Sequence, residues 1–314
     1  MAVLHNIISN KELQARLLVE SEARITVSFY KYFTLHDPIA FRDALYLSLS
    51  RLRVFGRIYI AQEGINAQVS VPHSLYSRMK DMLYVFHPSL SNLQMNISLD
   101  NTRQSFWVLR IKIRTQIVAD GITDVNVNTS DVGVYIDAHT VNTLQRDARA
   151  VFVDMRNDYE YAIGRFRKSL VIPGHTFRQQ LLKVIAILQE YKGNPIVLYC
   201  TGGIRCEKSS AWIRHHGHKN VYQIQGGIIN YVRQARIQGL PVYFIGKNFV
   251  FDKRMAECVS QDVIGYCYQC GEKNDNYINC RNDYCHKLFI QCSKCAEEFN
   301  FFCSRVCMEN SNFI

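Results

Sequence analysis

Residues 195–216 read PIVLYCTGGIRCEKSSAWIRHH. Ile196, Val197, Leu198 and Tyr199 form an apolar, β-branched run, too short for a helix and bounded by Pro195 and the Gly202–Gly203 pair. This predicts a buried strand that ends at Cys200. Thr201, Gly202, Gly203 and Ile204 make a tight loop, Arg205 follows, and from Lys208 the spacing of Ala211, Trp212 and His215 is helical. A cysteine is thereby set at a strand-to-helix turn, where successive backbone N–H groups can converge on its sulfur. A helix N-terminus and a nest of amides carry partial positive charge, and Arg205 adds a full one. Both favour the thiolate, which is the nucleophilic form. A lone cysteine before a glycine turn is more often buried and inert. Strand, Gly-Gly, arginine and helix occurring together mark Cys200 as reactive.

The flanks of this stretch alternate strand and helix. Ala150–Met155 reads as a buried strand, 156–164 as a polar turn region and Ser169–Ile172 as a short strand. Thr176–Tyr191 is an amphipathic helix, Val221–Ile224 a strand, Gly226-Gly227 a turn and Ile228–Gln238 a helix. Such alternation predicts a parallel sheet covered on both faces, with its chemistry at the carboxyl ends of the strands, where Cys200 lies. Residues 115–142 are rich in turn formers and read as a linker, followed by a short helix over 142–149. The expected domain spans residues 146–244, and the linker 116–145.

Upstream, residues 1–115 read as a helix over 10–20 capped by Asn10, a strand Ile25–Phe33, and a helix opened by Asp37-Pro38. Two strands turned at Glu63-Gly64, a helix over 72–86 and extended segments at 95–99 and 106–114 complete the domain. The order βαββαβ, with one segment over, predicts a ferredoxin-like α+β domain. Its last segment, FWVLRIKIR, puts Arg110, Lys112 and Arg114 on one face and Leu109, Ile111 and Ile113 on the other. The basic stripe is a candidate RNA contact, with Phe106 and Trp107 as candidate stacking residues. An edge strand protected by charge would look the same.

The tail, 245–314, holds four close cysteine pairs: Cys267/Cys270, Cys280/Cys285, Cys292/Cys295 and Cys303/Cys307. Short pairs let two thiolates reach one tetrahedral ion, so eight thiolates would fill two zinc sites that fold a segment too small to hold its own core. His286 could replace Cys285, Cys258 is left over as a structural residue, and the pairing of the pairs is open.

The net charge of +10 is uneven: residues 258–314 carry −2, and the rest +12. Between 192 and 257, ten Lys/Arg, among them Lys208 and Arg214, face three acids, which suggests a polyanionic substrate near Cys200. No apolar run approaches a membrane span, and the first residues lack the pattern of a secretory signal, so a cytoplasmic location is expected. In a reducing compartment eleven cysteines point to metal or catalysis rather than disulfides.

Residues 150–240 resemble a rhodanese domain in Asp154 and Arg156, Glu160 and Gly164, the loop Cys200-Thr201-Gly202-Gly203-Ile204-Arg205, and Gly226-Gly227. The whole chain resembles the rhodanese-related tRNA uridine hydroxylases, in YIAQEGINAQVS (59–70), RTQIVADGI (114–122), CTGGIRCEKSSA (200–211) and the Cys-rich tail. The resemblance implies hydroxylation of the wobble uridine, position 34 of tRNA, to 5-hydroxyuridine with molecular oxygen, and an essential cysteine at Cys200. Arg110, Lys112, Arg114, Lys208 and Arg214 are the candidate tRNA contacts, and Cys206 is a candidate resolving thiol. An electron or sulfur donor is required, and no flavin or nicotinamide motif is seen. His215, His216 and His218 could contribute to an iron site, although a solvated helix end explains them better. The alternative activity is a sulfurtransferase that carries a persulfide on Cys200. Four residues between Cys200 and Arg205, rather than the five of rhodanese-like phosphatases, speak for sulfur over phosphoryl chemistry.

Overall fold

Strict alternation along Arg24–Tyr32 (β1) sends Val27 and Phe29 into a core and Ser28 and Tyr30 to the other face. The chain continues through α1 (Pro38–Arg51), β2 (Phe55–Ala61), β3 (Gly64–Pro72), α2 (Tyr76–Phe86) and β4 (Asn96–Ile97). The Asp37 carboxylate accepts the Ile39 and Ala40 N–H groups and so starts α1 where the sequence places it. Strand order is β4-β1-β3-β2, all antiparallel, which is the expected ferredoxin-like sheet. The segment left over, β5 (Leu109–Ile113), adds parallel to β2 at the edge. Phe41, Leu45 and Leu49 of α1 and Met79 and Leu83 of α2 pack on one sheet face with Ile58, Ile60 and Val69. The helix-free face carries Ser28, Tyr30, Arg57, Tyr59, Asn66 and Gln68, in register across β1, β3 and β2.

This computed structural model describes residues 8–310 apart from 10, 11, 14, 16–18, 21, 103, 123, 125, 126 and 129. The helix expected over 10–20 lies largely outside the described residues. Among the described residues no helix is long and apolar enough to cross a membrane.

The second unit runs β6 (Val134–Ile136), α3 (Ala138–Arg146), β7 (Val151–Asp154), α4 (Asp158–Ile163), β8 (Gly164–Phe166), β9 (Leu170–Val171), α5 (Phe177–Leu188), β10 (Ile196–Tyr199), α6 (Ile204–His215), β11 (Val221–Ile224) and α7 (Gly227–Ile237). Its parallel sheet has the order β6-β11-β10-β7-β9, with an apolar core on each face. Two expectations change here. The linker expected over 116–145 is shorter, because Val134–Ile136 pairs with β11 and Asp137 caps a helix that starts at Ala138. Three residues between turn formers carry no periodicity, so pairing alone makes this strand. The turn expected over 156–164 contains α4, six residues begun by the Glu160 carboxylate accepting the Asn157 N–H.

β12 (Phe244–Phe249) pairs antiparallel with β8 and with β13 (Ala256–Cys258). The start of the tail is therefore stitched into the second unit rather than separate from it. A hairpin of β14 (Tyr277–Asn279) and β15 (Leu288–Ile290) has Cys280 and Cys285 in its turn, the short helices α8 (Ser293–Glu298) and α9 (Arg305–Glu309) hold Cys295 and Cys307, and the other paired cysteines lie in the adjoining loops. The Tyr277 hydroxyl donates to the Tyr159 carbonyl at 2.8 Å, and Lys247 pairs with Asp275 at 2.7 Å, fixing the tail to the body.

Candidate active site

Cys200 follows β10 at its carboxyl end and is fully buried. Gly203, with φ of +102°, turns the loop so that its N–H reaches Cys200 Sγ at 3.1 Å. Burial pushes the thiol up. That is outweighed by a hydrogen bond from the Cys206 thiol, the Arg205 charge and the backbone N–H groups of Cys206 and Arg205, leaving Cys200 lowered to about 6. Cys206 is the reverse case: burial, and then Cys200 itself, hold it well above the ordinary thiol range. The pair is therefore one thiolate and one thiol donor, side by side.

Arg205 does not face Cys200 as a free charge. Its guanidinium is gripped by the buried Glu160 carboxylate at 2.5 and 2.9 Å, and Thr201 Oγ1 lies 3.3 Å from the same carboxylate. The ion pair pins the loop to α4. Asp154 and Arg156, both fully buried, form a second pair at 2.7 Å, from which Arg156 also reaches the Gly164 carbonyl. Neither lines the cavity at Cys200, and both hold the chain around α4 together. The first turn of α7 closes the loop from behind: Ile228 and Ile229 donate to the Cys200 and Thr201 carbonyls at 3.0 and 3.3 Å.

The N-terminal sheet lies directly over this loop. Asn96 Nδ2 donates to the Gly202 carbonyl at 3.2 Å, the Tyr32 hydroxyl lies 3.5 Å from the Ile204 carbonyl, and Tyr30 donates to Glu207. Burial raises both phenols well above their usual range, so they remain donors. Lys208, expected as a tRNA contact, is buried and holds Glu63 at 2.6 Å and Asp120 at 3.3 Å. It ties α6 to the first domain and is not available to a polyanion. Arg214 pairs with Asp131 at 2.8 Å on the surface, whereas Arg110 and Lys112 of β5 and Arg114 just after it are exposed and do not line the Cys200 cavity.

A cavity of about 290 Å³ opens onto Cys200. Most of its wall comes from three parts of the chain: the loop with Cys200, Thr201, Gly202, Ile204 and Arg205, the helix-free sheet face with Ser28, Asn66, Gln68 and Asn96, and the 250–257 segment with Phe251, Arg254 and Glu257. Ser28 Oγ and Glu257 Oε2 are buried there without a hydrogen-bond partner among the described residues, two polar atoms aimed at a polar occupant. Sequence reasoning missed this third wall. The alternation of β1 and β3 did carry the sheet face, but nothing local says which partner it meets. The arrangement presents a sulfur of lowered pKa, backed by amide N–H groups, to a cavity of about 290 Å³.

The eight tail cysteines form two groups that could hold a metal ion: Cys267, Cys270, Cys292 and Cys295, and Cys280, Cys285, Cys303 and Cys307. The pairing is interleaved. Sγ–Sγ separations of 3.7 Å (Cys270–Cys292), 3.5 Å (Cys280–Cys307) and 3.7 Å (Cys285–Cys303) match the edge of a tetrahedral thiolate site, about 3.8 Å for metal–sulfur bonds of 2.3 Å. His286 is in neither group. Cys258, expected to be structural, is exposed and its thiol donates only to the Ser260 carbonyl. His215 faces Asp124, His216 packs on Trp212, and no group of three metal-binding side chains that includes His215, His216 or His218 forms among the described residues.

Three family profiles match in succession: "UPF0176 acylphosphatase like domain" over residues 24–117, "Rhodanese-like domain" over 137–234 and "Rhodanase C-terminal" over 245–308. The chain is 63% identical over 309 residues to a tRNA uridine(34) hydroxylase of Erwinia tasmaniensis, covering 98% of this chain and 88% of that one. It is 57% identical over 311 residues to the enzyme of that name from an Enterobacter species (99% and 89% covered), and 58% identical over 309 residues to that of Cronobacter sakazakii (98% and 88% covered). Spanning its three domains at such identity, the chain belongs to the tRNA uridine(34) hydroxylase family.

Proposed function

We propose that this protein hydroxylates uridine 34 of tRNA to 5-hydroxyuridine, with molecular oxygen as co-substrate and Cys200 as the essential thiolate. The observation that supports this most is a thiolate of lowered pKa on the wall of a nucleoside-sized cavity closed by three domains. An anticodon loop is single-stranded, so its base can be splayed into such a cavity at little cost. In this reading Cys200 Sγ bonds to uracil C6, and the charge passes through C5 to the O4 carbonyl. C5 then attacks an oxygen-derived electrophile. Loss of the C5 proton and expulsion of the thiolate restore the ring. One oxygen atom of O2 stays on C5 and the other leaves as water, with two electrons and two protons from an external thiol-class reductant.

Arg110, Lys112, Arg114 and Arg214 remain candidate phosphate contacts in this proposal. The two four-thiolate groups suit zinc in structural sites with no open position. The cytoplasm, where thiols stay reduced, is the compartment it implies. The test is the nucleoside composition of tRNA from cells lacking the protein, complemented with wild type or Cys200→Ala. Restoration of 5-hydroxyuridine derivatives by wild type alone is expected. Full restoration by Cys200→Ala would remove the cysteine from the mechanism, and unchanged 5-hydroxyuridine with altered thiolation would favour a persulfide-carrying sulfurtransferase.

A further inference from the structure

β2 and β5 pair in a register that sets Arg57 directly beside Arg110, and Tyr59 beside Lys112, on the helix-free sheet face. Like charges directly opposed in a sheet are destabilising. Yet neither arginine, nor Lys112, nor Lys253 across from them pairs with a carboxylate among the described residues. A second cavity, of about 570 Å³, lies over this spot, walled by Arg57, Arg110, Lys253, Trp107 and Phe251. The carboxylate on its wall, Asp252, is already held by Arg254 at 2.8 Å. Lys253 Nζ sits 5.2 Å from the Trp107 ring centroid, so cation and aromatic face occupy one end of the cavity together.

This cavity adjoins the Cys200 site, with Val250, Phe251 and Asp252 common to the two. Phe251 lines both, as well as a smaller cavity between them bounded by Arg57, Tyr59, Asn66 and Gln68. Asn66 and Gln68 in turn line the Cys200 cavity. The three cavities thus follow one sheet face across β5, β2, β3 and β1, three strand spacings or about 14 Å, from the paired arginines past the side-chain amides to the wall of the Cys200 cavity. Cations that track a backbone together with an aromatic stacking platform are what a single-stranded nucleic acid requires.

Resting on the reading that the substrate is RNA, we propose that the helix-free face of the N-terminal sheet is the single-strand groove of this protein. The base to be modified enters the Cys200 cavity. A phosphate of a neighbouring nucleotide lies between Arg57, Arg110 and Lys253, and its base stacks on Trp107.

The test measures binding without turnover, in the full-length Cys200→Ala protein, of a labelled anticodon stem-loop RNA across a salt series. Adding Arg57→Gln and Arg110→Gln is expected to weaken binding about tenfold and to flatten the slope of log affinity against log salt by about 0.7 for each phosphate no longer neutralised. Trp107→Ala is expected to cost about tenfold, most of it recovered by Trp107→Phe. Lys183→Gln, which removes an exposed charge from α5, should leave affinity and slope unchanged. Affinity and slope unchanged in the double arginine variant would overturn the groove, as would equal binding of a fully double-stranded RNA. Nucleoside analysis of wild-type product separates the two readings. Weakened RNA binding by these variants with no 5-hydroxyuridine formed by wild type would keep the groove and reject the hydroxylase, while normal hydroxylation and binding by the variants would do the opposite.

Discussion

At Cys200 two large effects oppose each other. Full burial disfavours a charged sulfur, yet three backbone N–H groups, the Cys206 thiol and Arg205 all favour it, and the balance falls at about 6. Arg205 contributes less than a free cation would, because Glu160 is bound to it at 2.5 Å. The direction has consequences in pH. The rate of alkylation of Cys200, followed on its own peptide by mass spectrometry, is expected to rise about tenfold per pH unit below 6 and to level off above it. A profile that keeps rising to pH 8 or beyond would mean an unactivated thiol. The same depressed value adds to folding stability in full above the unfolded thiol pKa of about 8.5, and that contribution is lost as pH falls through about 6.

Among the elements, α7 matters most to the loop, although it holds no reacting group. Its first residue, Gly227, sits at φ of +65°, and a Cβ there would lie 2.4 Å from the Cys200 carbonyl oxygen and 2.6 Å from that of Thr201. Both are backbone atoms fixed by hydrogen bonds to Ile228 and Ile229, so neither can yield without moving the cradle. Gly227→Ala is expected to cost about 1–3 kcal/mol in stability and to raise the pH midpoint of Cys200 alkylation. A melting curve and alkylation profile identical to wild type would show that the cradle does not depend on this approach. On β5, by contrast, exposed Arg110 and Lys112 form no ion pair among the described residues and do little for the fold.

At the scale of the molecule, the site exists only when three parts of the chain meet. Lys208 is the tie: truncating it to Ala leaves Glu63 and the buried Asp120 uncompensated at the junction. Breaking such a buried pair costs about 3–5 kcal/mol, and calorimetry of Lys208→Ala should show a loss of this order, or a split transition as the domains uncouple. The tail is the other support. It reaches the second cavity through Asn279 and Leu288 and is joined to α4 through Tyr277. Two four-thiolate groups predict close to two zinc ions per chain by elemental analysis, falling to about one in Cys280→Ser. Chelation should lower the melting temperature, because metal binding and folding are one event in so small a segment. A metal-free preparation with the same melting temperature would refute the structural zinc.

How much of this was legible in the residues follows from the range of each interaction. Local order was readable: the apolar run into Cys200, the Gly-Gly turn, the Asp37 cap and the period-two alternation of β1, β3 and β5 all report on neighbours within a few positions. The cysteine spacings showed that thiolates come in pairs, but not that Cys267 and Cys270 join Cys292 and Cys295, since pairing depends on how the hairpin folds back. Val134–Ile136 became a strand because β11 offers it an edge, and Lys208 became a buried tie because Glu63 and Asp120, 145 and 88 residues away in the chain, arrive beside it. The sequence by itself determined the strand–loop–helix around Cys200, the class of each domain and a basic stripe on the last strand of the first sheet. Only the tertiary structure decided that the helix-free face of that sheet lies over Cys200, because the distance between two rigid domains is set by contacts too remote along the chain for any local pattern to encode.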